Sequence, residues 1–160
     1  MSVSSTEVWK LAAGLGWLAG MRSASAPAAF SYQVAHHPGA LQGTPFAPLA
    51  SSRVRTLLTL SALGEFVVDK LPITPSRTDP APLAGRMGSG ALVGAAVFVE
   101  YRRPAVIGAV IGAGAAFLAT HVLYRLRVVA SDDLGIPNLV AGLIEDGAAI
   151  ALGRFLAGSG

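Results

Sequence analysis

The chain contains no cysteine, which removes disulfides, thiolate metal ligands and cysteine nucleophiles together and leaves the redox compartment undetermined. It is also poor in charge. Asp, Glu, Lys and Arg make up 13% of its 160 residues, against roughly 25% in an average soluble domain. What fills the sequence instead is apolar residue, 52% of the total, much of it alanine, together with 19 glycines. Mean hydropathy is correspondingly high at +0.57. A soluble core this rich in glycine packs poorly, whereas membrane helices that approach backbone to backbone need small residues. The length fits one domain over residues 1–160, with lipid as its expected solvent. The formal charge is +3, but the cations stand singly or in pairs at the edges of apolar runs, so no nucleic-acid partner is expected. No cleavable signal peptide is expected either, because Met1 to Thr6 lack a basic n-region and the following apolar run contains Arg22.

Apolar stretches near 20 residues long, the length that crosses a hydrocarbon core of about 30 Å, predict a polytopic all-α transmembrane bundle of about five spans. They cover residues 8–35, 54–71, 85–99, 104–124 and 138–157. The first is interrupted by Arg22-Ser23-Ala24-Ser25-Ala26-Pro27, and this predicts a broken helix. A Pro/Gly-rich loop from His36 to Ser52 follows it. The second stops at Pro72, and four prolines between Pro72 and Pro82 predict a connector with little helix. The third ends at Glu100-Tyr101-Arg102-Arg103-Pro104, and Tyr124-Arg125-Leu126-Arg127 is expected at the end of the fourth, at headgroup level.

Three segments carry Gly-x-x-x-Gly pairs, Gly16/Gly20, Gly90/Gly94 and Gly108/Gly112, each allowing close helix approach. Two short matches suggest an internal repeat. Trp17-Leu18-Ala19-Gly20 resembles Phe117-Leu118-Ala119-Thr120, and Ala62-Leu63-Gly64-Glu65 resembles Gly142-Leu143-Ile144-Glu145. With three crossings between copies, the repeat would be inverted, as in many transporters.

The chemistry-bearing residues are ionisable groups inside apolar runs, where a central charge costs about 2.5–3.5 kcal/mol on insertion scales. Glu65, Glu145 and Asp146 stand well inside, and Asp69 shares a helix face with Glu65. Facing carboxylates could exchange a proton or hold a cation; whether they bind metal is open. The bland alternative is a structural pairing with Arg22. Arg22 itself, with Ser23 and Ser25 at the helix break, suits an anionic group, and His121 could relay protons. The connector Asp69 to Thr78, with Lys70 and Arg77, reads as a rigid re-entrant loop or an ordinary surface turn. His36-His37 has no acidic companions and is not expected to bind metal. There is no P-loop, His-Glu-x-x-His or Gly-x-Ser-x-Gly pattern, and no cofactor is expected.

Gly20-Met21-Arg22-Ser23 with Pro27, Gly64-Glu65, Asp69-Lys70-Leu71-Pro72, Pro75, Arg77-Thr78, Arg86 with Gly90-Ala91, and Glu145-Asp146 together resemble the bacterial membrane proteins catalogued as domain of unknown function 4126. The resemblance implies a small multi-pass protein of the bacterial cytoplasmic membrane and no assigned activity.

With five spans, six cations (Lys10, Lys70, Arg77, Arg86, Arg125, Arg127) fall on one side and five (Arg53, Arg55, Arg102, Arg103, Arg154) on the other. Such balance is compatible with an antiparallel dimer, and a homo-oligomer is expected. The leading reading is a transporter or channel-like permeation protein for a small ion or anionic metabolite. Its substrate site would comprise Arg22, Ser23, Glu65, Asp69, Lys70, Arg77, Arg86, His121, Glu145 and Asp146. A metal-dependent enzyme acting on a lipid head group and a structural membrane subunit are the alternatives.

Overall fold

The computed structural model describes residues 4–37, 39–68, 78–133 and 135–158, and the regular elements among them are all helical. In chain order they are α1 (Ser5–Met21), α2 (Ser25–Val34), a 3-10 turn (Ala47–Ala50), α3 (Ser52–Val68), α4 (Pro80–Glu100), α5 (Ala105–Asp132) and α6 (Asn138–Ala157). Among the described residues, α4 and α5 are long and apolar enough to cross a membrane, fewer than the five spans expected.

The break expected in the first segment is present, and its cause is local. Had α1 run on, the Pro27 ring would have met the carbonyl of Ser23 and left it without a donor. Instead the backbone becomes extended at Arg22 (φ −146°, ψ 112°), and Pro27 falls in the first turn of α2, where a missing N–H costs nothing. At its other end α1 is closed by a capping box. Ser4 N–H donates to Glu7 Oε2 at 2.7 Å, and Glu7 N–H donates to the Ser4 hydroxyl at 3.3 Å. The bond from the Ser4 backbone, the largest cause, holds the Glu7 carboxyl below its ordinary range.

Beyond the break the chain turns back. Gly153 of α6 lies against both Leu18 of α1 and Ala29 of α2, while Leu156 lies against Gly14. Asp146, earlier on α6, pairs with Arg22. Advancing along α6 therefore retreats along α1 and advances along α2. The two helices form a hairpin that enters from one end of the bundle and returns to it, with Arg22–Ala24 at its tip. α3 runs antiparallel to α2: Arg55 stacks on Tyr32 near the entry end, and Glu65 reaches the tip.

The three glycine pairs stand at close helix crossings. A Cβ on Gly94 would overlap the Gly108 carbonyl, one on Gly112 would overlap that of Gly90, and one on Gly20 would lie 2.5 Å from that of Ala116. Packed around these contacts is a core that includes Leu15, Leu18, Phe30, Val93, Val97 and Phe98. The α4–α5 turn is a Schellman motif: Arg103 N–H donates to the Phe98 carbonyl at 2.7 Å and Arg102 N–H to that of Val99 at 3.0 Å. Arg102 takes the left-handed position usual for glycine (φ 56°).

Several expectations are corrected. Pro80 and Pro82 open α4, tolerated in its first turn, so helix begins within the expected connector. α5 continues to Asp132, so Tyr124, Arg125 and Arg127 lie inside the helix and not at its end. The segments matched at an offset of 100 residues are not inverted. Gly16 faces Gly112 and Gly20 faces Ala116, so α1 and α5 run the same way, side by side.

Gly112→Val should lower stability by roughly 2 kcal/mol or more, because the methyls meet backbone that cannot yield. Gly114→Ala, facing open space, should be neutral or slightly stabilising. Thermal unfolding of the purified variants reads both.

Candidate functional site

A broken helix leaves carbonyls without donors at one new end and N–H groups without acceptors at the other. At this hairpin both ends meet within the bundle, and each surrounding helix sends a side chain to them. The carbonyl end of α1 is covered by α4. Arg86, 4% exposed, donates from Nη1 to the Gly20 and Met21 carbonyls at 2.6 and 2.9 Å. Thr120 of α5, back-bonded to the Ala116 carbonyl at 2.8 Å, also lies 3.3 Å from that of Gly20. The N–H end of α2 is covered by Glu65 of α3. Its Oε1 accepts from the Ser23 backbone and hydroxyl, both at 2.9 Å, and its Oε2 accepts from Ala24 N–H at 2.8 Å. Ser23's own carbonyl, which Pro27 cannot serve, accepts from Ser89 Oγ at 2.5 Å.

The electrostatics follow helix polarity. A guanidinium sits at the negative end of α1 and a carboxylate at the positive end of α2, the favourable choice at each. Arg22, at the turn, is 2% exposed. It pairs with Asp146 of α6, donates to the Glu65 backbone carbonyl at 3.3 Å and lies 4.7 Å over the Phe66 ring. Two cations and two anions thus meet at the tip and balance formally.

Of the residues expected in the site, the fold brings together Arg22, Ser23, Glu65, Arg86 and Asp146. Asp69, Lys70 and Arg77 lie outside the described residues. Glu145 is rotated off the tip and lines a groove between α5 and α6. His121 does not join the site. It faces outward, with Nδ1 2.9 Å from the Phe117 carbonyl and its ring 4.2 Å from the Phe117 ring. The two acids at the tip do not share a cation as facing carboxylates would: Glu65 holds backbone N–H groups and Asp146 holds Arg22. Among the described residues no group of three or more His, Asp or Glu could hold a metal ion.

Sequence reasoning missed Ser89, Thr120 and Phe66. Ser89 had a usable signal, since it lies three residues after Arg86 on the same face of α4.

Two grooves approach the tip from opposite ends of the bundle. One, of about 550 Å³, runs between α2, α3 and α6 from the hairpin's entry end to Ser25 and Phe66. The other, of about 240 Å³, comes from the far end between α5 and α6 and reaches Met21 and Glu145. The tip stands between them.

The fold and this site define an all-helical bundle with an inserted hairpin whose broken end is sealed by side chains from four helices. The chain belongs to the family described as domain of unknown function (DUF4126), whose profile matches residues 10–157. No curated protein and no solved structure matches it.

Asp146→Asn should destabilise the fold by about 3 kcal/mol or more, because it leaves the Arg22 charge buried without its anion. Arg22→Met combined with Asp146→Leu should recover at least half of that loss. A double-mutant cycle built from Arg22→Met, Asp146→Leu and the two combined, read by chemical unfolding, gives the coupling, which an exposed pair would hold near zero.

Proposed function

We propose that the chain is an integral membrane permeation protein, in which the hairpin is re-entrant and its tip closes a path between the two grooves for a small ion or anionic metabolite. The observation that carries this reading is the buried, charged helix break standing between grooves that approach it from opposite ends. In lipid, non-helical backbone is tolerated only where protein or an aqueous cavity surrounds it, and the half-helix ends so created are the usual places where small ions are held. Large apolar side chains that a soluble protein would hide support the lipid setting: Leu57 and Leu60 of α3, Val110 of α5, and Ile144 and Phe155 of α6 are all exposed.

On this reading α3, α4, α5 and α6 cross the bilayer and the α1–α2 hairpin dips in and returns, giving four crossings. The charge count then changes, because Lys10 joins Arg53, Arg55, Arg102, Arg103 and Arg154 at the hairpin's entry end. Arg125 and Arg127 belong to the other end. Among the described residues, six against two favours a cytoplasmic entry end and removes the balance from which antiparallel pairing was expected. A homo-oligomer remains part of the reading, since four crossings and a hairpin are few to enclose a path alone.

The closed tip suggests the mechanism. Arg22 holds Asp146, so opening requires the pair to part, and a proton on Asp146 or an anion on Arg22 would each weaken it. Coupling to protons or anions then runs through one contact. A structural role is the second reading, favoured by the full engagement of Glu65 and Arg86 with backbone. Proteoliposomes loaded with a pH-, chloride- or phosphate-sensitive reporter separate the two. Wild type should conduct protons, chloride or phosphate above protein-free vesicles, and Asp146→Asn and Glu65→Gln should each change that flux by about tenfold or more. If flux of all three matches protein-free vesicles, or both folded variants conduct like wild type, permeation through the tip is wrong.

A further inference from the structure

The groove between α2, α3 and α6 has features that the closed tip does not require. Its floor is made of small and apolar residues, among them Ala29, Ala62 and Ile150. Polar groups concentrate at its outer end, where His36, Tyr32 and Arg154 stand. Arg55 adds a further cation there, its guanidinium 5.5 Å over the Tyr32 ring. None of the described residues lining the groove is acidic.

The length is informative. The groove follows α2 from Ser25 to His36 and α6 from Ala149 to Gly158, about 15 Å at 1.5 Å per residue. That is about half of a hydrocarbon core of roughly 30 Å, the depth of one leaflet. A chain lying in it would run from the cationic outer end to mid-depth and stop against Ser25 and Phe66, beside the tip. The volume of about 550 Å³ lies in the range of sites that hold small amphiphiles.

We propose that this groove binds an acyl chain of an anionic membrane lipid, with the headgroup phosphate held by Arg154 and His36 and supported by Arg55. The ligand is a lipid and not a free phosphate, because the cations stand at the mouth of an apolar slot one leaflet deep. It is not a neutral lipid, because the mouth is cationic and no acid lines the groove. A second copy of the chain is the rival occupant, but its matching face would carry the same cations and meet like charge with like. The proposal rests on the membrane setting of the permeation reading but not on permeation. A protein that conducts nothing can still bind the lipid, and one that conducts can fail to.

The full chain in detergent, titrated with phosphatidylglycerol and separately with phosphatidylcholine and followed by native mass spectrometry, tests the proposal. Wild type should prefer phosphatidylglycerol about tenfold or more. Arg154→Gln and His36→Gln should each weaken phosphatidylglycerol binding about fivefold and leave phosphatidylcholine unchanged. Ala62→Phe, which fills the floor, should reduce binding of both lipids, and melting temperatures show that each variant is folded. Equal affinity of wild type for the two lipids overturns the proposal, as does a preference that survives Arg154→Gln and His36→Gln together. So does a stable dimer that binds phosphatidylglycerol only when dissociated.

Discussion

The structure depends on a backbone that breaks inside the bundle and has to be satisfied there. Three residues, Arg22 to Ala24, leave the helical path, and the unbonded carbonyls and N–H groups on either side point into the protein and not into water. Everything nearby answers that requirement. Arg86 covers the carbonyls, Glu65 the N–H groups and Ser89 the one acceptor that Pro27 abandons. Arg22 is neutralised in place by Asp146. These polar side chains come from three helices, so α3, α4 and α6 are tied to the hairpin by them as much as by packing.

Glycine makes this arrangement sterically possible. α1 must lie close enough to α4 and α5 for Arg86 and Thr120 to reach the Gly20 carbonyl, and the contacts at Gly16, Gly20, Gly90 and Gly112 set that distance. The small residues and the buried charges are therefore one design. Larger residues at the helix crossings would lift the side chains away from the carbonyls they cover, leaving both unpaired in a medium of low dielectric.

Much of this was legible in the residues. A run of Arg, two serines and a proline predicted the break, the glycine pairs predicted the close contacts, and the bounds of α6 match the segment expected at 138–157. Buried Arg22 and Asp146 and half-buried Glu65 were identifiable by their cost alone. The direction of α2 was not legible, because an apolar run of 28 residues reads the same whether it crosses or folds back. The extension of α5 was hidden by Tyr124 and Arg125, which mimic a helix end. The resemblance of Trp17-Leu18-Ala19-Gly20 to Phe117-Leu118-Ala119-Thr120 suggested inversion, but the two stretches touch in parallel, which makes a shared packing requirement the simpler origin.

The absence of cysteine makes the central geometry directly testable, since any single introduced thiol is unique. Thr6→Cys, before the hairpin descends, and Ala40→Cys, after it returns, lie at exposed positions on its two arms. In sealed vesicles a membrane-impermeant maleimide should label both from the same face, with Ser131→Cys at the far end of α5 labelled from the opposite one. Labelling of Thr6→Cys and Ala40→Cys from opposite faces would contradict the re-entrant hairpin and, with it, the placement of the charged tip at mid-depth.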